Sequence, residues 1–340
     1  MSEKYIASLD VGTTTVRCLI YNSKSQILAN ASDKVRSVGC CEIDEEEIFQ
    51  QCVYVIRRAI EISGLTASDI SCLGIATQRN TFITWDKDTG KPFHHLMTWK
   101  DMRAASYVRD WNKSYVMMFI RSASRLLYSV TGSLRHLAVS LLQFKNTHVC
   151  MRLKWMLDNN KELKKRASMK KVSFGTLDTW LVWKLTNARC YATDFSNASS
   201  TALFDPYVLS WSSSICMLLG IPMHILPPIF DTCDDYGYCD EKFFGYKLPI
   251  RSLVGDQQAS MFGQCCFEKG NMKCTMGLGT FVDVKMGGQP MVSNQELFPI
   301  VGWKIKDEVV YLMEGYSSDT CQPISWLQSC GQLMSELLIG

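Results

Sequence analysis

Asp10 closes a short apolar run and is followed by Gly12, Thr13, Thr14, Thr15 and Arg17 in the string DVGTTTVR. A tight hairpin of this composition turns backbone N–H groups and hydroxyls outward, and such a donor array suits phosphate oxygens. The Asp10 carboxylate, at a strand end, can hold Mg²⁺ through water. An ordinary hairpin turn is the plainer reading of the same residues. No GxxxxGK[ST] string occurs, which argues against a P-loop enzyme.

Two further strings carry chemistry. QRNTFITW (78–85) follows an apolar stretch and is succeeded by TWKDMR (98–103). Arg79 at a strand end can donate to the hydroxyl oxygens of a polyol, and Trp99 offers its carbon face a flat apolar wall. A surface arginine and a core tryptophan are the competing readings. In LVGDQQASMFGQ (253–264), Asp256 stands where a strand gives way to a helix, a position that faces a cleft in α/β folds. It could accept the proton of an attacking hydroxyl, with Gln257 holding a neighbouring hydroxyl. Asp is also a common helix N-cap, and one residue can fill both roles.

The elements that must position these groups are legible in outline. Residues 5–10, 16–22 and 26–31 read as strands joined by short turns, hence an antiparallel meander. Asp44 caps a helix, with Glu47 completing a capping-box pattern, and Ile48, Cys52, Val55, Ile56, Ala59 and Ile60 share one helical face. LGIAT (73–77) reads as a strand parallel to the first, because a helix connects them. The stretch 112–170 reads as helical and basic, with a solvated lysine face near 161–171. GTLDTWLVWKLT (175–186) reads as an amphipathic helix, and Pro222, Pro227 and Pro228 mark a loop. Residues 250–254 then form a strand, and 270–288 give strand, glycine-rich turn, strand, echoing 4–23. This partial repeat suggests two related units, 1–245 and 246–340, facing a cleft.

Composition agrees with a folded enzyme. Of 340 residues, 47% are hydrophobic and 20% charged, consistent with roughly two domains and a sizeable core. The net charge of +3 gives no reason to expect nucleic acid or an anionic membrane as the main partner. Fifteen cysteines lack any CxxC spacing, so free thiols are favoured over a zinc site. No signal peptide, membrane-length apolar run or lipidation motif is legible, so a soluble, cytoplasmic protein is expected. A homo-oligomer is left open.

DVGTTTVR, QRNT, TWKDMR, GTLDTWLVWKLT, TDFSNASSTALFD (193–205), GDQQASMFGQ and the GLGTF hairpin stand in the order seen in FGGY carbohydrate kinases. From residue 5 to about 330 the chain resembles glycerol kinases, and most of all the glycerol kinase 5-like branch. The resemblance implies an α/β, actin/hexokinase-like (ribonuclease H-like) fold of two domains, with the second incomplete here and its adenosine subsite missing. It implies ATP and Mg²⁺ in the cleft and phosphorylation of a small polyol, glycerol in the first place. Asp10 would then orient the metal. Gly12, Thr13, Thr14, Thr15, Arg17, Gly277, Leu278, Gly279 and Cys321 would serve the nucleotide. Arg79, Asn80, Trp99, Asp256 and Gln257 would surround the polyol, with Asp256 as base.

The departures are specific. Glycerol kinases carry QRET, and Asn80 replaces that carboxylate, losing charge-assisted strength. Thr147 stands where they carry a glycerol-contacting tyrosine. Leu278 replaces a phosphate-facing threonine, Cys321 a glycine and Ser325 a glutamine, and Pro323 would disturb a helix. These departures support an alternative, a truncated, non-catalytic relative that binds partners or regulates. A chaperone-like ATPase of the same superfamily would share the DVGTTTVR turn, but GDQQ and TWKDMR argue against it.

Overall fold

The computed structural model describes residues 4–39, 41–295, 297–318, 320, 326, 327 and 330. The chain opens on the expected meander: β1 (Tyr5–Val11), β2 (Thr15–Tyr21) and β3 (Ile27–Lys34) pair antiparallel. Leu9 of β1, Cys18 and Ile20 of β2 and Ala31 of β3 turn to one buried face, and that burial sets the register. α1 (Glu45–Ser63) lays the predicted stripe of Ile48, Cys52, Val55, Ile56, Ala59 and Ile60 on this core. The Asp44 carboxylate accepts from the N–H groups of Glu46 and Glu47 at 2.9 and 2.8 Å. The Glu47 carboxylate departs from the capping-box expectation: it meets Arg36 at 2.9 Å, because the extended chain after β3 brings that guanidinium within reach. β4 (Ile70–Thr77) then pairs parallel to β1, as a helical crossover requires.

The next unit is built on β5 (Phe82–Asp86) and β6 (Val172–Thr176), antiparallel to each other. Between them lie α2 (Tyr115–Thr131) and α3 (Val149–Asn159). The helix expected over 175–186 is shorter. Gly175 and Thr176 finish β6, and α4 spans Leu177–Leu185. It is enclosed rather than amphipathic, packing against β4 of the first sheet and against β5 and β6 of the second. Its Trp180 stacks on Trp183 at 5.3 Å and meets Trp85 edge-on at 5.2 Å. Buried Asp178 is matched by the Thr193 hydroxyl at 2.7 Å.

α5 (Phe195–Ser200) follows, its end held by Asp194, which accepts from the Ser196 and Asn197 N–H groups at 2.9 Å each. β7 (Ile250–Gly255) returns to the first sheet. It pairs parallel to β4 and completes the order β7-β4-β1-β2-β3. The strand read from sequence as the head of the second unit is therefore an edge strand of the first sheet. Its apolar residues fit either placement, and pairing with β4 decides between them.

α6 (Asp256–Gly263) leads to a four-stranded antiparallel sheet of β8 (Met272–Met276), β9 (Thr280–Gly287), β10 (Phe298–Ile305) and β11 (Glu308–Ser317), in the order β8-β9-β11-β10. The glycine-rich hairpin expected over 270–288 is present as β8–β9. Val301 and Tyr311 of this sheet pack against Phe195, Ala198 and Phe204. Val301 N–H also donates to Ser199 Oγ at 2.9 Å. The sheet is thus fastened to α5, and a cleft is left beside the seam.

Trp85 is 1% exposed and packed against Trp180, Trp183 and Tyr191. Trp85→Ala is expected to lower unfolding free energy by about 3–5 kcal/mol, read from urea denaturation with tryptophan-independent circular dichroism.

Candidate active site

The chain after β4 turns sharply, and Asn80 takes the left-handed conformation there at φ +63°, which asparagine tolerates better than most residues. Gln78 stitches this turn to the first hairpin. Its amide donates to Gly12 O at 3.1 Å and accepts from the Thr13 hydroxyl at 3.1 Å. Trp99 adds a second link, its indole N–H donating to Thr13 Oγ1 at 3.1 Å. Trp99 therefore does more than wall a site, since it holds the threonine turn in place.

These residues border a cleft of about 180 Å³ between the first unit and the last sheet. Thr13 and Thr14 form one edge. Arg79, Asn80, Trp99 and Thr147 form a second, Asp256 and Gln257 a third, and Gly277, Leu278 and Gly279 a fourth. Thr275, Phe281, Glu314 and Tyr316, none of them singled out from sequence, complete the wall. Asp10, Gly12, Thr15 and Arg17 are not among the lining residues, although the Asp10 charge is felt at Asp256. Asp10 faces Arg17 across the β1–β2 ladder. Burial raises the Asp10 carboxyl above its usual range, and the Arg17 charge opposes this. Cys321, Pro323 and Ser325 lie outside the described residues.

Asp256 is the first residue of α6, and the N-cap is Gly255. A Cβ on Gly255 would come within 2.6 Å of Gln258 Oε1 and 2.8 Å of Arg79 Cδ, so the close approach of Arg79 to this helix depends on glycine. Asp256 Oδ1 accepts from Gln257 N–H at 2.8 Å and lies 3.7 Å from Arg79 Nε. Burial raises its pKa above the usual carboxylate range, against the pull of Arg79. The neutral form is favoured by burial and the charged form by the guanidinium, which leaves the group, 30% exposed to the cleft, more basic than an ordinary carboxylate.

Arg79 is 6% exposed and meets two carboxylates, Asp256 and, at 2.5 Å, Glu314 of β11. Glu314 sits opposite Asp283 in the β9–β11 register, and Asp283 lies 3.5 Å from Lys273. Lys273 Nζ in turn donates to Gln257 Oε1 at 2.7 Å. Burial pushes the Glu314 carboxyl up to about 7; Arg79 resists this and Asp283 adds to it. Burial also lowers the Lys273 pKa, opposed by Asp283. Lys273 had no signal in the sequence: alternation in MKCTM would turn Met272, Cys274 and Met276 inward, whereas the structure buries Lys273 and exposes Met272 and Met276. Glu314 had none, because its strand is buried along most of its length.

Arg152 of α3 was also missed. It is fully buried and donates to Thr98 O at 2.5 Å, Asn80 O at 2.7 Å, Thr147 O at 2.8 Å and Met97 O at 3.3 Å. Burial brings its pKa down to about 10. One guanidinium thus gathers the backbones that present Asn80, Trp99 and Thr147 to the cleft. The Thr147 hydroxyl shares a 2.7 Å hydrogen bond with the Tyr316 hydroxyl. Asn80 Oδ1 is a buried acceptor with no hydrogen-bond partner among the described residues.

The model of the N-terminal domain of the FGGY family of carbohydrate kinases matches residues 5–263. Glycerol kinase 5 of Danio rerio is 46% identical over 330 residues, covering 96% of this chain and 62% of its own length. Glycerol kinase 2 of Thermotoga maritima is 34% identical over 336 residues, covering 98% of this chain and 64% of its own. The crystal structure of Plasmodium falciparum glycerol kinase with ADP superposes with a TM-score of 0.83 at 26% identity, covering 97% of this chain and 64% of that one. The chain therefore spans about 62% of the length of the first of these relatives.

Two outcomes are expected. Glu314 carries a folded pKa of about 7 against an ordinary 4.5, so the folded state binds the extra proton between those values. The Glu314 contribution to stability should fall as pH rises from 4.5 to about 7 and level off above, opposed by the buried neutral His94 and His148, and Glu314→Gln should remove that one component from the pH profile of urea titrations. Arg152→Ala strands buried carbonyls and should lower unfolding free energy by about 3–5 kcal/mol, read from the same titrations near neutral pH.

Proposed function

The chain belongs to the FGGY family of carbohydrate kinases, and from that premise we propose that its cleft binds a small polyol, glycerol in the first place, and phosphorylates it from ATP. The observation that carries the reading is the convergence of Asp256, Arg79, Asn80 Oδ1, Gln257 and Trp99 on one cleft whose far edges are two glycine/threonine-type turns.

Asp256 is the general base. The acceptor hydroxyl gives its proton to this carboxylate while its oxygen bonds to the terminal phosphorus of ATP. The bond from that phosphorus to the bridging oxygen breaks, and ADP leaves. Arg79 holds a second hydroxyl oxygen and keeps Asp256 ionised enough to act. Gln257, steadied by Lys273, and the unpartnered Asn80 Oδ1 take the remaining hydroxyl groups. Trp99 and Phe281, 5.9 Å apart and edge to face, form the apolar wall for the carbon skeleton. The tyrosine that glycerol kinases carry at position 147 is replaced by threonine, but the Tyr316 phenol reaches the same place from β11. The backbone of the 12–15 and 277–279 turns cradles phosphate oxygens.

Mg²⁺ fits the donor set, since it retains waters and needs one or two protein carboxylates besides phosphate oxygens. Asp10 would hold it through water, and the ion would neutralise charge on the transferring phosphoryl group.

A non-catalytic binding role is the second reading, favoured by Leu278 at the second phosphate turn. Coupled ATP turnover with glycerol and Mg²⁺ separates the two. Asp256→Ala is expected to lower glycerol-dependent turnover by at least about a hundredfold. Folded chain that turns over no polyol above the Asp256→Ala background would overturn the kinase reading.

A further inference from the structure

α2 is turned inside out. Only Met117 and Ser124 are buried along it. Tyr115, Phe119, Leu126 and Val130 are 88%, 73%, 67% and 79% exposed. At 100° per residue these four fall within one narrow stripe pointing to solvent. The orientation is held by polar anchors on the inner side. Arg121 Nε donates to Leu142 O at 2.9 Å, and its other nitrogens donate to Asn112 O at 3.1 Å and Asn112 Oδ1 at 3.2 Å. Asn112 is itself bonded both ways to the Phe144 backbone, at 2.8 and 2.9 Å. Turning the apolar stripe inward would break this set of bonds.

The nearby acids Asp110 and Asp205 are each paired, with Arg109 and Arg135. From Trp111 to Leu157 the sequence contains no Asp or Glu. Lys113, which ends the helix before α2, and Arg125, on the side of α2 about 110° round from the stripe, are both exposed and have no ion pair among the described residues. The near-zero balance of the whole chain conceals this local excess.

We propose that α2 is a membrane-surface anchor that lies on an anionic lipid bilayer, its apolar stripe in the acyl boundary and Lys113 and Arg125 among the headgroups. The area argues for lipid over a protein partner. From Tyr115 to Val130 a helix runs about 22 Å and is about 10 Å wide, on the order of 200 Å². A specific protein interface takes about 800 Å² from each partner. Interfacial helices bind by adding modest apolar burial to electrostatic attraction, which is what this face offers. No helix among the described residues is long and apolar enough to span the bilayer, so the attachment is peripheral.

The test is co-sedimentation of the purified 340-residue chain with vesicles of phosphatidylcholine, alone or with phosphatidylserine. Binding should be about tenfold or more stronger with phosphatidylserine, and should weaken with salt. Phe119→Asp with Leu126→Asp removes the stripe, and Lys113→Glu with Arg125→Glu reverses the charge while keeping it. Each pair should reduce binding by about tenfold or more. All four positions are exposed, and thermal melts followed by circular dichroism check that both variants fold. Absence of binding to phosphatidylserine vesicles would overturn the proposal, as would binding indifferent to both variants. Self-association lost on Phe119→Asp with Leu126→Asp, without vesicle binding, would assign the face to a second copy and also overturn it.

Discussion

The cleft exists because charges are buried only in company. Arg79, carried at the end of a strand in the first sheet, is almost wholly enclosed and lies between Asp256 and Glu314. Asp283 and Lys273 extend the same chain of charges to Gln257. Burying any of these ions alone would cost several kcal/mol, and removal of one partner leaves the other unpaired. The pairing therefore ties the first unit to the last sheet at a defined spacing. It also leaves Asp256 on the open side of the guanidinium, facing the cleft.

The same constraint explains why the pocket is preorganised. Arg152 pulls the carbonyls of three separate segments toward one point, so Asn80, Trp99 and Thr147 arrive on one wall. Gln78 and Trp99 then bind that wall to the threonine turn. Each contact is a hydrogen bond between a side chain and a distant loop, and together they limit how far either edge of the cleft can drift. Alignment to within about 1 Å is what the proposed phosphoryl transfer would require.

A surface feature follows a different logic. The helix Tyr115–Thr131 contributes little to the core, and polar anchors hold it with its apolar side outward. A folded protein gains nothing by itself from exposing such a stripe, so its stability here comes from the hydrogen bonds beneath it.

The amino-acid sequence by itself determined the local elements and most of the groups with chemistry. Alternation in the first strands, the Asp44 cap and the apolar stripe after it, and the two glycine-rich hairpins each rest on short-range periodicity, which a strand or helix carries in its own residues. The Asp256, Arg79 and Trp99 candidates were legible through the strings GDQQ, QRNT and TWKDMR that carry them, beside plainer readings as cap, surface charge and core. Tertiary structure alone decided the rest. β7 joined the first sheet because β4 offered an open edge, which no property of residues 250–255 announces. The helix over 177–185 became enclosed because sheets pack on both sides of it. Glu314, Lys273, Asp283 and Arg152 entered the site only through partners far away in sequence. Burial makes charge pairing necessary, but which charges pair is settled by the fold that buries them.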